Sequence, residues 1–150
     1  MLGTTISHYR ILEQLGAGSQ IWVMSDTGEE AEQLVRSGQE FWDFSPTWSP
    51  NGEYIIFSQR RVNTRSLPWL MQIRYEDRAT HTASRLESDV VDSIQNIHFS
   101  PDGFWIAYEG GDGLDKKDIF YMMASGGTRT RLTTDPANDF DPAWRPITTP

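Results

Sequence analysis

The sequence predicts an all-β fold, a partial β-propeller of about three four-stranded antiparallel blades. Two observations carry this. The phrase Trp48-Ser49-Pro50-Asn51-Gly52-Glu53-Tyr54-Ile55-Ile56-Phe57-Ser58 returns as Phe99-Ser100-Pro101-Asp102-Gly103-Phe104-Trp105-Ile106-Ala107-Tyr108-Glu109, and starts again at Pro142-Ala143-Trp144-Arg145-Pro146. A second apolar run recurs at a fixed interval: Ile21 to Leu70 and Leu70 to Ile119 both span 49 residues. A period of about 45–50 residues means one supersecondary unit copied in series.

Each unit reads as four short strands. The first, at Thr47-Trp48 or His98-Phe99, runs into Ser-Pro-Asn-Gly or Ser-Pro-Asp-Gly. Proline presets φ, Asn or Asp suits the next position, and glycine takes the positive φ, so a tight hairpin follows. Strand two is Tyr54-Ile55-Ile56-Phe57 or Trp105-Ile106-Ala107-Tyr108, apolar almost throughout, as expected for a strand covered on both faces. Strand three reads Ile21-Trp22-Val23-Met24, Leu70-Met71-Gln72-Ile73 and Ile119-Phe120-Tyr121-Met122. Turns follow at Asp26-Thr27-Gly28, Glu76-Asp77-Arg78 and Ser125-Gly126-Gly127. Strand four closes each unit around Leu34, Leu86 and Leu132. A short helix over 29–37 competes with the first of these, and the strand is preferred.

Polar connectors lead into the next unit, Asp43-Phe44-Ser45-Pro46-Thr47-Trp48 and Asp139-Phe140-Asp141-Pro142-Ala143-Trp144, while the middle copy places Ile94 and Ile97 at the sites of Asp43 and Pro46. Asp43 and Asp139 are read as structural, bonding neighbouring backbone N–H groups where the chain crosses between sheets. The blade portions are thus about 20–37, 43–88, 93–134 and 139–146, within a repeat domain of 20–150.

The chain has 150 residues, enough for a buried core, with six Trp, seven Phe and five Tyr offsetting an apolar fraction of 37%. A net charge of −8, with scattered Lys and Arg, argues against nucleic acid as a partner. The absence of Cys removes disulfides, thiolate metal sites and a Cys nucleophile. No signal-peptide pattern and no run of bilayer length occurs, so no membrane insertion is expected and the placement is cytoplasmic by default.

On Pro46-Thr47-Trp48-Ser49-Pro50-Asn51-Gly52, Phe99-Ser100-Pro101-Asp102-Gly103 and the 119–122 strand with its glycine turn, residues 20–146 resemble the TolB-like propeller repeats of bacteria, relatives of the WD-repeat proteins. The resemblance implies the propeller fold and a protein-binding or scaffold role, and members of that family are often periplasmic. Residues 6–18, Ile6-Ser7-His8-Tyr9-Arg10-Ile11-Leu12-Glu13-Gln14-Leu15-Gly16-Ala17-Gly18, are similar to the opening of a bacterial serine/threonine protein kinase. Val23 fits that pattern, but Ile21 replaces its third glycine, and neither the nucleotide-binding Lys strand nor a His-Arg-Asp loop follows. Asp43-Phe44-Ser45 lies too early for the metal-binding triplet, so phosphoryl transfer is rejected. Segment 1–19 is expected to be disordered or to form an opportunistic strand.

The strand inventory gives strands three and four, two full units, then a lone strand one. If the ends join, three blades result, one short of its second strand. Such an arc leaves an apolar face at each end. The expectation is a fragment of a larger propeller, or self-association of two arcs into a six-bladed ring.

Little chemistry stands out. His8, His81 and His98 lack metal-ligand spacing, and no Gly-x-Ser-x-Gly elbow occurs. Asp112, Asp115 and Asp118, with Gly111 and Gly113, invite a calcium reading, but lack the EF-hand series and are assigned to a solvated loop. The loop 59–68, with Arg60, Arg61 and Arg65, is the candidate for recognition, against a plain surface loop. No catalytic, cofactor-binding or metal-binding residue, no cofactor and no enzyme activity are predicted. The expected function is a non-catalytic module mediating protein–protein interaction or self-assembly. The alternative is a detached sensor or regulatory piece of a kinase with a C-terminal propeller.

Overall fold

A computed structural model describes residues 9–14, 19–25, 27–62, 68–86, 93–111 and 116–146. The strands form three antiparallel sheets. The first holds β1 (Tyr9–Gln14), β2 (Gln20–Ser25) and β3 (Glu32–Gln33) in that order. The second holds β4 (Phe41–Trp48), β5 (Tyr54–Arg61), β6 (Trp69–Arg74) and β7 (Ser84–Leu86). The third holds β8 (Ser93–Phe99), β9 (Trp105–Gly111), β10 (Asp118–Met123) and β11 (Thr130–Arg131). Within each sheet, neighbours in sequence are neighbours in space, so each is a simple meander. A 3₁₀ helix over Tyr75–Thr80 replaces the simple turn expected after β6.

The first sheet differs from its expected make-up. β1 pairs with β2 so that Tyr9 faces Ser25 and Gln14 faces Gln20. In the second sheet Tyr54 faces Arg74 and Gln59 faces Trp69. Residues 9–14 therefore stand where 54–59 stand, in the second-strand position that the strand inventory had left empty. The C-terminal segment does not join this sheet; residues 139–146 lie against the third one instead, where the Trp144 indole N–H donates to the His98 carbonyl over 3.0 Å.

Two apolar layers hold the sheets together. Ile21, Val23, Leu34 and Val35 of the first unit pack on Ile55, Phe57 and Ile73 of the second. Ile56, Leu70 and Leu86 of the second pack on Ile94, Ile97, Ile106, Tyr108, Phe120 and Met122 of the third. Successive residues of a strand point to opposite faces, so Ile55 and Ile56 serve different layers. That explains why β5 is apolar on both sides. Ile94 and Ile97, which break the Asp-x-x-Pro pattern, are core residues of the second layer.

The repeated turn is built twice with the same bonds. Ser49 N–H donates to Tyr54 O (2.8 Å), Gly52 N–H to Ser49 O (2.9 Å), and Tyr54 N–H to Ser49 Oγ (2.9 Å). Ser49 Oγ and Glu53 N–H both donate to Asn51 Oδ1. Ser100, Asp102, Gly103, Phe104 and Trp105 reproduce all five. Gly52 and Gly103 sit at φ +70° and +77°, a left-handed conformation that disfavours a Cβ. The serine hydroxyl, both donor and acceptor here, locks the turn. Bonds from Ser100 and the Phe104 N–H hold the Asp102 carboxyl below the ordinary carboxylate range.

The strand-four leucines share a repeat position but not an environment. Leu34 and Leu86 are buried, whereas Leu132 is 63% exposed. Leu86→Ala should cost about 2–5 kcal/mol by removing core contacts, and Leu132→Ala about 0.5 kcal/mol or less. Urea unfolding midpoints of the two variants check this directly.

Candidate functional site

Strand one enters each blade beside the end of strand two, and this rim gathers most of the polar chemistry. Asp43 is fully buried there. Its carboxylate accepts from Ser37 Oγ (2.6 Å) and Gln59 Nε2 (2.7 Å), while its own N–H donates to Ser19 O (2.8 Å). It thus reaches side chains of two sheets rather than the backbone N–H groups expected. Burial pushes its pKa up, against the opposing effect of the Ser37 and Gln59 bonds.

Beside it, arginines stack on aromatic rings. The Arg60 guanidinium lies 4.4 Å from the Trp42 ring centre, and Arg61 lies 5.5 Å from that of Phe41. Phe41 in turn meets Trp69 at 6.3 Å, and Arg85 covers Trp69 from 5.6 Å. Two arginines of the expected recognition loop are therefore bound to the sheet by cation–π contacts. Arg65 lies outside the described residues.

In the third sheet the same rim carries an ionic cluster. Glu109 is buried and accepts from Asn96 Nδ2, from the Asp141 N–H (2.9 Å) and from Lys117 Nζ (3.1 Å). Lys117 Nζ also donates to Gln95 Oε1 (2.7 Å), and its backbone bonds Asn138 and Asp139. Burial opposes the Glu109 charge, but the Asp141 N–H, Asn96 and Lys117 together hold its carboxyl below the ordinary range. Asp118 is likewise buried, paired with Arg131 at 2.6 Å and Lys116 at 3.3 Å. Asp118 thus belongs to the sheet interior rather than to a solvated loop. Asp112, Gly113 and Asp115 lie outside the described residues. Among the described residues no group of three or more His, Cys, Asp or Glu is placed to hold a metal ion.

The histidines serve backbone geometry. His81, at φ +53°, caps the 3₁₀ helix through its N–H to Arg78 O. His98 is exposed and its carbonyl receives Trp144. His8 lies outside the described residues. Among those residues no helix is long and apolar enough to cross a membrane.

The outer face of the third sheet carries an apolar cleft. A cleft of about 410 Å³ runs between Ile119, Tyr121 and Leu132 on one side and Pro142, Ala143 and Trp144 on the other. Trp105 meets Tyr121 at its edge, ring centres 5.7 Å apart and planes tilted by 58°. The exposed large apolar residues among those described are Phe104, Trp105, Met123, Leu132 and Phe140, all in the third sheet or beside it. By sequence, Trp105 and Leu132 fall on strands two and four and Phe140 in a polar connector, and an apolar face is expected at each end of the arc.

Four-stranded antiparallel meanders packed face to face, with strand one bulged at the same place in each, are the blades of a β-propeller. No family model matches the sequence. Over 129 residues, 86% of this chain, it is 30% identical to the Tol-Pal system protein TolB of Anaeromyxobacter dehalogenans strain 2CP-C, and it spans 27% of that protein's length. It superposes on the structure of putative TolB from Agrobacterium tumefaciens with a TM-score of 0.68 at 16% identity, covering 84% of this chain and 45% of that one. An oligogalacturonate lyase in complex with manganese superposes at 0.61 and 13% identity, over 80% of this chain and 30% of that one. The chain is therefore TolB-like in sequence and a stretch of β-propeller in fold, about a quarter of the length of the curated relatives it matches. The same architecture carries an enzyme, so fold alone assigns no activity.

The two buried carboxylates titrate with opposite consequences. Glu109, depressed in the folded state, contributes stability above its ordinary pKa of about 4.3 and loses it as pH falls through the lower folded value. Asp43, raised, contributes below its ordinary value of about 3.9 and loses that as pH rises through the folded value. Glu109→Gln should therefore cost about 1–3 kcal/mol at pH 7, and the gap should close in acid. The wild type should instead gain on Asp43→Asn as pH falls. Urea unfolding from pH 7 to pH 3 reads both.

Proposed function

We propose that the chain is a non-catalytic, TolB-like propeller-repeat module that works by protein–protein interaction or self-association through its open blade faces. The observation that carries this is the environment of one repeat position: Leu86 is covered by the third sheet, and the equivalent Leu132 is exposed. Ala107, Ile119 and Leu132 occupy the positions at which Ile56, Leu70 and Leu86 receive the next blade; Ala107 and Ile119 are each 7% exposed beside segment 139–146, and Leu132 stands open. A surface patterned for burial and rimmed by polar groups marks an interaction site.

Three further features support the reading. The relative in Anaeromyxobacter is by name a Tol-Pal system protein, and a component of a multi-protein system binds partners. A net charge of −8 disfavours nucleic acid. The buried acids Asp43, Glu109 and Asp118 are engaged in bonds that fasten sheets and connectors. The kinase-derived reading gains no observation of its own, since residues 9–14 form a blade strand.

The test compares wild type with Leu132→Asp. The wild type should either self-associate in sedimentation or bind an apolar dye such as anilinonaphthalene sulfonate, and the variant should lose most of that signal while keeping its strand circular dichroism. A well-folded monomer that binds no dye overturns the proposal.

A further inference from the structure

Among the described residues two parts of one blade stand unmatched. Sheet β1-β2-β3 fills the second, third and fourth strand positions and among the described residues has no first strand. Segment 139–146 fills a first-strand position and among the described residues pairs with no second strand.

That segment is already shaped for its role. Strands β4 and β8 each carry a bulge, after Phe44 and after Gln95, whose left-handed residues are Ser45 (φ +51°) and Asn96 (φ +48°). Asp141 has φ +50° at the matching place. Asp139 N–H donates to Lys117 O over 2.9 Å, as Asp43 N–H donates to Ser19 O over 2.8 Å. Glu109 takes the Asp141 N–H, and the Trp144 indole reaches His98 O. A strained non-glycine conformation persists only where the surroundings over-determine it. Here they fix a segment with the backbone turn of a first strand, which among the described residues joins no ladder, a template for another chain.

Resting on the reading of the open faces as interaction surfaces, we propose that their occupant is a second copy of this chain. The first sheet of one copy pairs with segment 139–146 of the other, completing a four-stranded blade between chains. The reciprocal pairing closes a two-chain ring of six blades.

The register is set by the blades already formed. Thr47 faces Ile56 and His98 faces Ala107, which puts Ala143 opposite Ile11 of the second copy. Phe44 faces Ser58 and Gln95 faces Glu109, which puts Phe140 opposite Glu13. The face positions agree as well. Against Leu70 and Leu86 the third sheet presents Tyr108, Phe120 and Met122. At the same register positions the first sheet has Leu12, Trp22 and Met24, to meet Ile119 and Leu132. Arg10, at the position of Ile106, is the exception. A head-to-tail contact forms a closed ring when its rotation closes, and three blades plus three gives six, inside the usual range of four to eight.

The sequence contains no cysteine, so engineered pairs report without background. Ala143→Cys combined with Ile11→Cys should, on mild oxidation of the full chain, give a disulfide-linked product of twice the 17.2 kDa chain mass. Phe140→Cys with Glu13→Cys should do the same, an independent pair should the first impair folding. Ala143→Cys with Leu12→Cys, one residue out of register, should link at least about tenfold less, because a one-residue slip turns side chains to opposite faces. Untreated wild type should sediment at twice 17.2 kDa, and Leu132→Asp at 17.2 kDa. A monomer that binds the apolar dye overturns this inference and leaves the interaction surface standing. A ladder of higher species overturns the closed ring, and equal linking in and out of register overturns the strand pairing.

Discussion

Everything in this structure depends on the packing of one apolar sheet face against the next. A blade of four short strands has two such faces and cannot bury either alone. In the second sheet Ile55 and Phe57 go to one neighbour, Ile56 and Leu70 to the other. Each fully buried Leu or Ile contributes roughly 1.5–3 kcal/mol, and each is buried only while the adjacent sheet is present. Stability is thus a nearest-neighbour property, as in other repeat proteins. The middle sheet is satisfied on both sides, and the third is satisfied on one.

Polar groups fix where the sheets meet, and they do so at repeat-equivalent positions with different chemistry. Ser58 donates its hydroxyl to the Ile94 carbonyl over 2.9 Å. At the equivalent position Glu109 accepts the Asp141 N–H. Both tie the end of strand two to the first strand of the following unit, close to the bulge. A bulge leaves ladder groups unpaired, and an unpaired buried group is costly. The side chain at this position supplies the missing partner, a donor in one blade and an acceptor in the next. Glu109 brings a charge with it, which Lys117 balances.

Strands two and three of the second and third sheets, the Ser-Pro-x-Gly turns and the strand-four leucines were legible in the sequence because each is set by local rules of alternation and turn chemistry, whereas the turn after β6 is a 3₁₀ helix. β1 was not. Tyr9-Arg10-Ile11-Leu12-Glu13-Gln14 matches Tyr54-Ile55-Ile56-Phe57-Ser58-Gln59 at Tyr, Ile and Gln, with Leu for Phe. The likeness of 6–18 to a kinase opening drew the reading away from that match. The serine of the Ser-Pro-x-Gly turn was visible as a letter but not as a double hydrogen-bonding group. The Glu109 cluster was out of reach, since it joins residues from 95 to 141 that only the fold brings together. Leu132 shows the limit most directly: a repeat position states which way a side chain points, not whether anything covers it.

The rim and the open face differ in what they are able to do. At the rim, charged groups meet partners of their own sheet: Arg60 and Arg61 lie on aromatic rings, Asp118 on Arg131, Glu109 on Lys117. The outer face of the third sheet differs, with Leu132 and Trp105 standing exposed on it. Rigid apolar surface loses little entropy on binding. An apolar blade face is suited to stacking on the next blade for that reason.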